Sequence, residues 1–460
     1  MKISHRSHSI PRRQFLQTAA LTAGSLLLAR SALRGAAPSS PNGRLQLALI
    51  GVGGRGTAAL AALQHEQIVA FCDVDFARGR ELVARNTKLG GALARFPAAK
   101  WFSDYRILFE QMSDQIDAVV VSVPDHMHYP IALAALRHGK HLYVEKPLCR
   151  CIREVRALHA AAKKAGVVTQ MGNQGRAAEG IRLAREWVQA GLIGRVHTVH
   201  AWNNTPSASY SLNLATVAGA PAEVPPPTLN YDLWLGVAPV RPYRRICSHG
   251  SWRGFVDYGT GRLGDWACHQ FDAANFALDL DAPSSVEAAT SEPKQDTFPA
   301  FTTLTYEFPA RGQRPPVTLK WFEGGLQPPQ PVEGFKFNVG GGSIFYGDKG
   351  IMWVGSHSST ARLLPEALMQ ERQGALPAKT IPRVAGGPHV EWVNAIRQGG
   401  RCGSNFDYAA PLAEIGLLGV AAIRAQTRLV WDAAAARVTN HEFANRFIGP
   451  GYEYRPGWGV

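Results

Sequence analysis

The sequence predicts an α/β protein: a parallel, doubly wound sheet at the N-terminal end, followed by an α/β domain built on a large, mostly antiparallel open sheet. Two observations carry this. From Leu45 to about Asn173, short continuous Val/Ile/Leu runs alternate with amphipathic stretches, the pattern of a parallel sheet covered by helices on both faces. After about Gly175 that rhythm gives way to strands in succession, which favours antiparallel pairing.

In chain order, "LQLALIGVG" is a buried strand and "GTAALAALQHE" a helix. "IVAFCDVD" and "ARGRELVARNTKL" repeat the unit, and "IDAVVVSVPDH" with "PIALAALRHG" repeats it again. "KHLYVEKP", "IREVRALHAAAKKAG" and "VVTQMGN" complete the first domain as strand, helix, strand. The second domain opens with a helix, "AAEGIRLAREWVQAG", and a strand, "RVHTVHAWNN". "SVEAATSE", "FTTLTYEF" and "PVTLKWFEGG" are further strands, and "GGSIFYGDKGIMWVG" is a hairpin turning at Gly347 to Gly350. Two late helices, roughly His389 to Arg397 and Tyr408 to Ala425, close the chain. The expected division is 1–37 as a signal segment, 44–174 as the first domain and 175–460 as the second.

The 460-residue length supports two domains. The formal charge is +14, but Lys2, Arg6, Arg12, Arg13, Arg30 and Arg34 lie in the first 37 residues with no acid among them, so residues 38–460 carry +8. No Lys/Arg block, zinc pattern or basic helix occurs there, and a solvated basic surface is favoured over a nucleic-acid partner. Six scattered cysteines make no disulfide framework, and Cys149 and Cys151 stand too close for an easy bridge. The opening "SIPRRQFLQTAALTAGSLLLARSA" places two adjacent arginines before a weakly apolar run and then small residues, the design of a twin-arginine signal. That run is too short and too rich in Ala, Thr and Gly for a stable membrane helix. A periplasmic location and use of the twin-arginine export machinery are the expectations.

Gly51, Gly53 and Gly56 form G-x-G-x-x-G, with Gly54 inside it, where the first strand meets a helix. Such a loop lets a pyrophosphate approach the backbone at a helix N-terminus, which marks a Rossmann dinucleotide site. Asp73 ends the next strand 22 residues after Gly51; an acid there binds ribose hydroxyls and repels a 2′-phosphate, favouring NAD over NADP. "PDHMHYP" and "YVEKP" follow two later strands on the same sheet edge. They offer Pro124, Asp125, His126, His128 and Lys146 to a ligand, although a plain loop and a solvated lysine remain open from spacing alone. No third metal ligand accompanies the two histidines, and no metal is expected.

In "WRGFVDYGTGRLGDWACHQFDAANFAL", a helix from Gly264 would put Asp265, His269 and Asp272 within roughly 60° of one face. Two acids and an imidazole suit a histidine general base oriented by a carboxylate; a metal site or a satisfied polar face stays open. Trp202, Trp234, Tyr243 and Trp252 could present rings to a sugar or pack in the core.

"GVGGRG", "CDVD", "PDHMHYP", "EKP" and "GDWACHQFD" together resemble the Gfo/Idh/MocA oxidoreductases, over nearly the whole chain after the signal segment. "YDLWLGVAP", "WRGFVDYGTGRLGDW", "SNFDYAAPLAEIGLLGVAAIRA" and "YRPGW" resemble the exported branch of that family. The resemblance implies that Lys146 contacts nicotinamide and substrate, that Asp265 and His269 complete the catalytic group, and that His269 accepts the proton. It also implies that Gly51, Gly53, Gly56 and Asp73 bind the dinucleotide, that Pro124, His126 and Glu145 line it, and that Asn173 lies near the nicotinamide. A dimer or tetramer is implied too. Many relatives carry Asp-x-Gly-x-His, whereas Ala267 stands here between Asp265 and His269.

The function expected is oxidation of a CH–OH group of a sugar, polyol or glycoside by tightly bound NAD. The alternatives are a redox-neutral glycoside hydrolase or lyase working through a transient keto-sugar, and a non-catalytic sugar-binding protein. Relatives that became glycosidases (glycoside hydrolase family 109) differ at the "EKP" signature.

Overall fold

The computed structural model describes residues 43–85, 95–206, 210, 220–249, 251–292 and 295–459. The twin-arginine segment lies outside the described residues. The first sheet contains β1 (Gln46–Ile50), β2 (Gln67–Cys72), β3 (Lys100–Phe102), β4 (Ala118–Val121), β5 (His141–Val144) and β6 (Thr169–Met171), ordered β3-β2-β1-β4-β5-β6. All its pairings are parallel. The order in which strands are added switches sides between β1 and β4, which opens a crevice at their carboxyl ends. Alternate residues feed opposite faces: Leu47, Leu49 and Val120 pack on one side, and Ala48, Ile50, Val119 and Val121 on the other. Helices α1 (Arg55–Leu63), α2 (Phe76–Arg85), α3 (Tyr105–Met112), α4 (His128–Arg137) and α5 (Ile152–Ala165) connect the strands. β3 and α3 escape the sequence pattern because "KWF" offers three residues, only one of them buried.

The second sheet adds β8 (Ser285–Thr290), β13 (Ala361–Leu364), β14 (Leu429–Asp432) and β15 (Arg437–Val438) to the five strands described next, in the order β13-β12-β11-β7-β10-β9-β8-β14-β15. β7 (Val196–Asn203) and β10 (Val317–Glu323) are parallel; the other pairings are antiparallel. β11 (Gly342–Gly347) and β12 (Gly350–Gly355) form the expected hairpin. β9 (Thr302–Phe308) and β10 alternate strictly between buried and half-buried positions, and the buried side packs under the Gly261–Gln270 helix and the long Phe406–Ala425 helix. That long helix is apolar enough to cross a membrane by length and composition, yet it is mostly buried in the protein. The Gly387–Gln398 helix, which the sequence places in the second domain, instead buries Trp392, Val393 and Ile396 against the Leu47 face of the first sheet.

Candidate active site

The glycine loop is built by exclusion. Gly51 has φ of +81°, and a Cβ there would come within 2.3 Å of the Ser122 carbonyl oxygen at the end of β4. A Cβ on Gly56 would come within 2.0 Å of the Gly51 carbonyl oxygen, so any side chain would push α1 off β1. Gly54, at φ +51°, precedes α1 with no side-chain cap and open space around it, which leaves the helix N-terminus free for phosphate oxygens. Asp73 accepts from Val52 N at 2.9 Å and from Asp75 N at 3.0 Å. Burial raises its pKa, with those backbone N–H groups opposing the shift.

Gly51, Gly53, Gly54, Asp73, Pro124, Glu145 and Lys146 line one cleft of about 420 Å³. Glu145 is buried beside Arg55 at 3.4 Å, and its Oε2 has no partner. The space, the unfilled cradle and this orphaned carboxylate oxygen fit a dinucleotide. His126 does not line the cleft. It is fully buried, donates from Nε2 to the Trp234 carbonyl oxygen at 3.0 Å, and burial lowers its pKa to about 3. That bond fixes the loop after β4 against Trp234. His128 is also structural, with its ring nitrogens 2.7 Å and 2.9 Å from the Pro147 and Val123 carbonyl oxygens. That contact ties the loop after β4 to "EKP", whose Lys146–Pro147 bond is cis. Asn173 is fully buried, donating to Asp272 at 2.8 Å and accepting from Ser404. Its amide is committed to the joint between the two domains.

At the inner end of the cleft, Lys146 donates to Asp265 Oδ1, and Tyr210 donates to Asp265 Oδ2. Arg253 stands 3.3 Å from the same carboxylate and 2.8 Å from the buried Asp125, which also accepts from Thr260 at 2.7 Å. Burial opposes charge on Asp265, yet Arg253, Lys146 and Tyr210 together hold its carboxyl well below the usual range. The expected Asp265–His269 couple is not formed, because three stronger donors occupy the carboxylate. His269 is buried with an unpartnered Nδ1; burial, then Lys146 and His357, keep its pKa well below 6.5. The imidazole is therefore neutral and able to accept a proton. Asp272 leaves the expected stripe: the helix breaks at Phe271, and Asp272 accepts from Asn173 and Tyr408.

Arg253, Tyr210 and His357 are site residues that motif spacing misses. Arg253 stands within the quoted "WRGF" stretch, so its place beside the catalytic helix was the one available signal. Trp234 and Trp252 line the cleft, whereas Trp202 is fully buried and Tyr243 packs against Tyr231. Among the described residues no group of three or more His, Cys, Asp or Glu side chains is placed to hold a metal.

Ala267 turns away from the chemistry. It meets Gly416 of the long helix, where a Cβ would come within 2.9 Å of the alanine methyl. Gly416→Ala should therefore destabilise the fold by about 1–3 kcal/mol, and Ala267→Gly should restore most of it. Denaturant titration of the two single variants and the double variant checks this; additive losses would contradict the contact.

A switch-point cleft with a glycine cradle, an acid at the end of the second strand and a lysine–carboxylate pair beside a neutral imidazole defines an NAD-binding oxidoreductase. Residues 45–173 match the model of the oxidoreductase family with an NAD-binding Rossmann fold, and residues 179–313 match its C-terminal alpha/beta domain. These matches span more than half of the sequence, and the chain belongs to the Gfo/Idh/MocA oxidoreductase family. Levoglucosan dehydrogenase of Pseudarthrobacter phenanthrenivorans is 30% identical over 151 residues, 31% of this chain and 38% of that protein. A glycosyl hydrolase family 109 protein of Solibacter usitatus is 36% identical over 154 residues, 31% of this chain and 34% of that one. The matched stretches thus span well under half of these relatives. A solved levoglucosan dehydrogenase, in complex with NADH and levoglucosan, superposes with a TM-score of 0.56 at 19% identity, covering 85% of this chain and all of that one. At that identity it shows a common fold.

Proposed function

We propose that the protein oxidises a CH–OH group of a sugar, polyol or glycoside with NAD that stays bound through turnover. The observation that carries this is Lys146, which lines the dinucleotide cleft, paired with Asp265 and with the neutral His269 imidazole close behind. Bound there, nicotinamide supplies a hydride acceptor. Lys146 donates a hydrogen bond to the substrate oxygen as it becomes a carbonyl. Asp265, itself held by Arg253 and Tyr210, fixes the lysine head group. His269 takes the hydroxyl proton, and the cleft holds the reacting carbon in place. The levoglucosan dehydrogenase relative supports a carbohydrate substrate.

Export in folded form, to the periplasm, accounts for "RRQFL" and the weak apolar run behind it. A retained cofactor suits a compartment outside the cytoplasm, and the C-terminal tail supports retention. Trp458 is buried and lines the cleft beside Ser103, Asp104 and Tyr105, beyond Asp73. The Arg106 guanidinium stands 4.2 Å from its ring, and Arg455 ties the tail to Asp232 at 2.6 Å. Trp458→Ala should weaken NAD binding by about 1–3 kcal/mol if the indole backs the adenine, read by calorimetry on cofactor-free protein; unchanged affinity would remove the tail from the site.

The direct test is a panel of free sugars, polyols and methyl pyranosides added to NAD-loaded protein, followed by nicotinamide absorbance. Reduction by at least one is expected, and none reacting with the site loaded would defeat the proposal. The family 109 relative favours a second reading, in which the hydride is returned and a glycosidic bond is cleaved without net redox change. Product analysis of the reacting pyranosides separates the two.

A further inference from the structure

The catalytic helix, Gly261–Gln270, carries one more charged side chain on the face that bears Asp265 and His269. At about 3.6 residues per turn, Arg262 lies within roughly 60° of both. It is only 8% exposed, yet it has no counter-ion: the described residues include every Asp and Glu of the chain, and among them none forms an ion pair with it. Its Nη1 donates to the Thr205 carbonyl oxygen at 2.6 Å and to Asn203 Oδ1 at 3.3 Å. Tyr210 covers one face of the guanidinium, with its ring centroid 4.5 Å away, and sends its hydroxyl to Asp265. Nε and Nη2, the edge that forms a side-on fork, have no partner among the described residues and are not sealed from solvent. Buried charge is normally paired. Nearby, Asp265 and Asp125 answer Lys146 and Arg253, and Glu145 answers Arg55, so among these groups Arg262 is the charge left over. Glu323 is not a full counter-charge at neutral pH. Its Oε2 accepts from Trp321 Nε1 at 2.9 Å, and burial pushes its pKa up to about 7 against that bond and the pull of Arg262.

We infer that the Nε/Nη2 edge of Arg262 is a subsite for a carboxylate of the substrate, so that the protein acts on the glycoside of a sugar acid, such as a uronide, in preference to a neutral sugar. The inference rests on the oxidoreductase reading and narrows its substrate class. A single surplus charge matches a monoanion, and the planar fork matches the two oxygens of a carboxylate. Arg262 precedes Asp265 by about 4.5 Å along the helix axis, a step that one sugar ring can bridge. A sugar held at Arg262 by its carboxylate can therefore offer a ring hydroxyl to Lys146, the partner of Asp265, and to His269. A neutral sugar in the same place leaves the guanidinium unpaired, the kind of mismatch by which a site built for a polar group discriminates strongly.

The test uses matched pairs that differ only at the last sugar carbon: methyl glucopyranoside against methyl glucuronide, and methyl galactopyranoside against methyl galacturonide. With NAD-loaded wild type, nicotinamide reduction should give a kcat/KM at least about 10²-fold higher for the acid in one pair or both. In Arg262→Gln that ratio of acid to neutral substrate should fall by at least about 10²-fold. Neutral glycosides that react as well as the acids in wild type, or a folded glutamine variant that loses both members of a pair equally, would overturn the inference. The wild-type comparison decides alone where the variant fails to fold by circular dichroism. Calorimetry gives a readout without turnover: the uronide should bind NAD-loaded wild type at least about tenfold more tightly than its neutral partner, and equal affinities would overturn the subsite. Uronide binding with no nicotinamide reduction by any probe would sink the oxidoreductase reading and leave the subsite standing. Reduction by neutral glycosides alone would do the reverse.

Discussion

Replacing His269 with asparagine will lower kcat by roughly 10²–10⁴-fold, the usual contribution of a positioned base. NAD affinity should stay within a few-fold of wild type, because His269 does not line the dinucleotide cleft. The pH profile gives the sharper check. Burial, Lys146 and His357 hold the folded pKa of His269 well below 6.5, so the acceptor is present at neutral pH. The wild-type rate should lose activity to protonation of this base only as pH falls through that depressed value. Stability follows the same sign: the unfolded imidazole binds a proton near pH 6.5 and the folded one does not, so stability falls as pH drops below that point. His269→Asn should flatten this part of the stability profile. A variant with near-normal kcat, or a wild type that loses activity between pH 8 and 6.5 through this group, would contradict the assignment.

Lys146→Met is expected to cost roughly 10²–10³-fold in kcat, the loss of one donor aimed at a developing oxyanion. The loss should fall on kcat more than on KM, since the hydrogen bond strengthens as the carbonyl forms. Asp265 keeps Arg253 and Tyr210 in the variant, so the fold around the site should survive; circular dichroism and NAD titration confirm that. Lys146→Arg should rescue little, because a planar guanidinium cannot occupy the place of a compact ammonium. Steady-state kinetics that show a raised KM with unchanged kcat would reduce Lys146 to a binding residue.

How much of this was legible follows from where each residue stands in the fold. Gly51, Asp73, Pro124, Glu145 and Lys146 each end a strand or follow one, and a parallel sheet brings those ends to a single edge. Their meeting was readable from motif order alone. Asp265 and His269 were readable as helix neighbours, but their coupling was not. Lys146, 119 residues away in sequence, and Arg253 from a loop occupy the carboxylate, and no helical spacing reveals competitors from other segments. That His126 holds its loop was not readable, because its packing against Trp234 and Tyr258 depends on the second domain. Asn173 was drawn into the domain joint by Asp272 and Ser404, partners from two separate segments. His357 sits in "GSHSS", a turn with no local signal. Its importance appears only when the hairpin folds over the catalytic helix.

The central claim is a nicotinamide site that keeps its cofactor, and cofactor content tests it most directly. Protein exported by its own N-terminal segment is purified without added nucleotide and denatured, and the supernatant is assayed for NAD(H) and NADP(H). The account predicts NAD(H) near one equivalent per chain, carried across inside the folded protein. Protein that emerges empty and also fails to bind added NAD would contradict it.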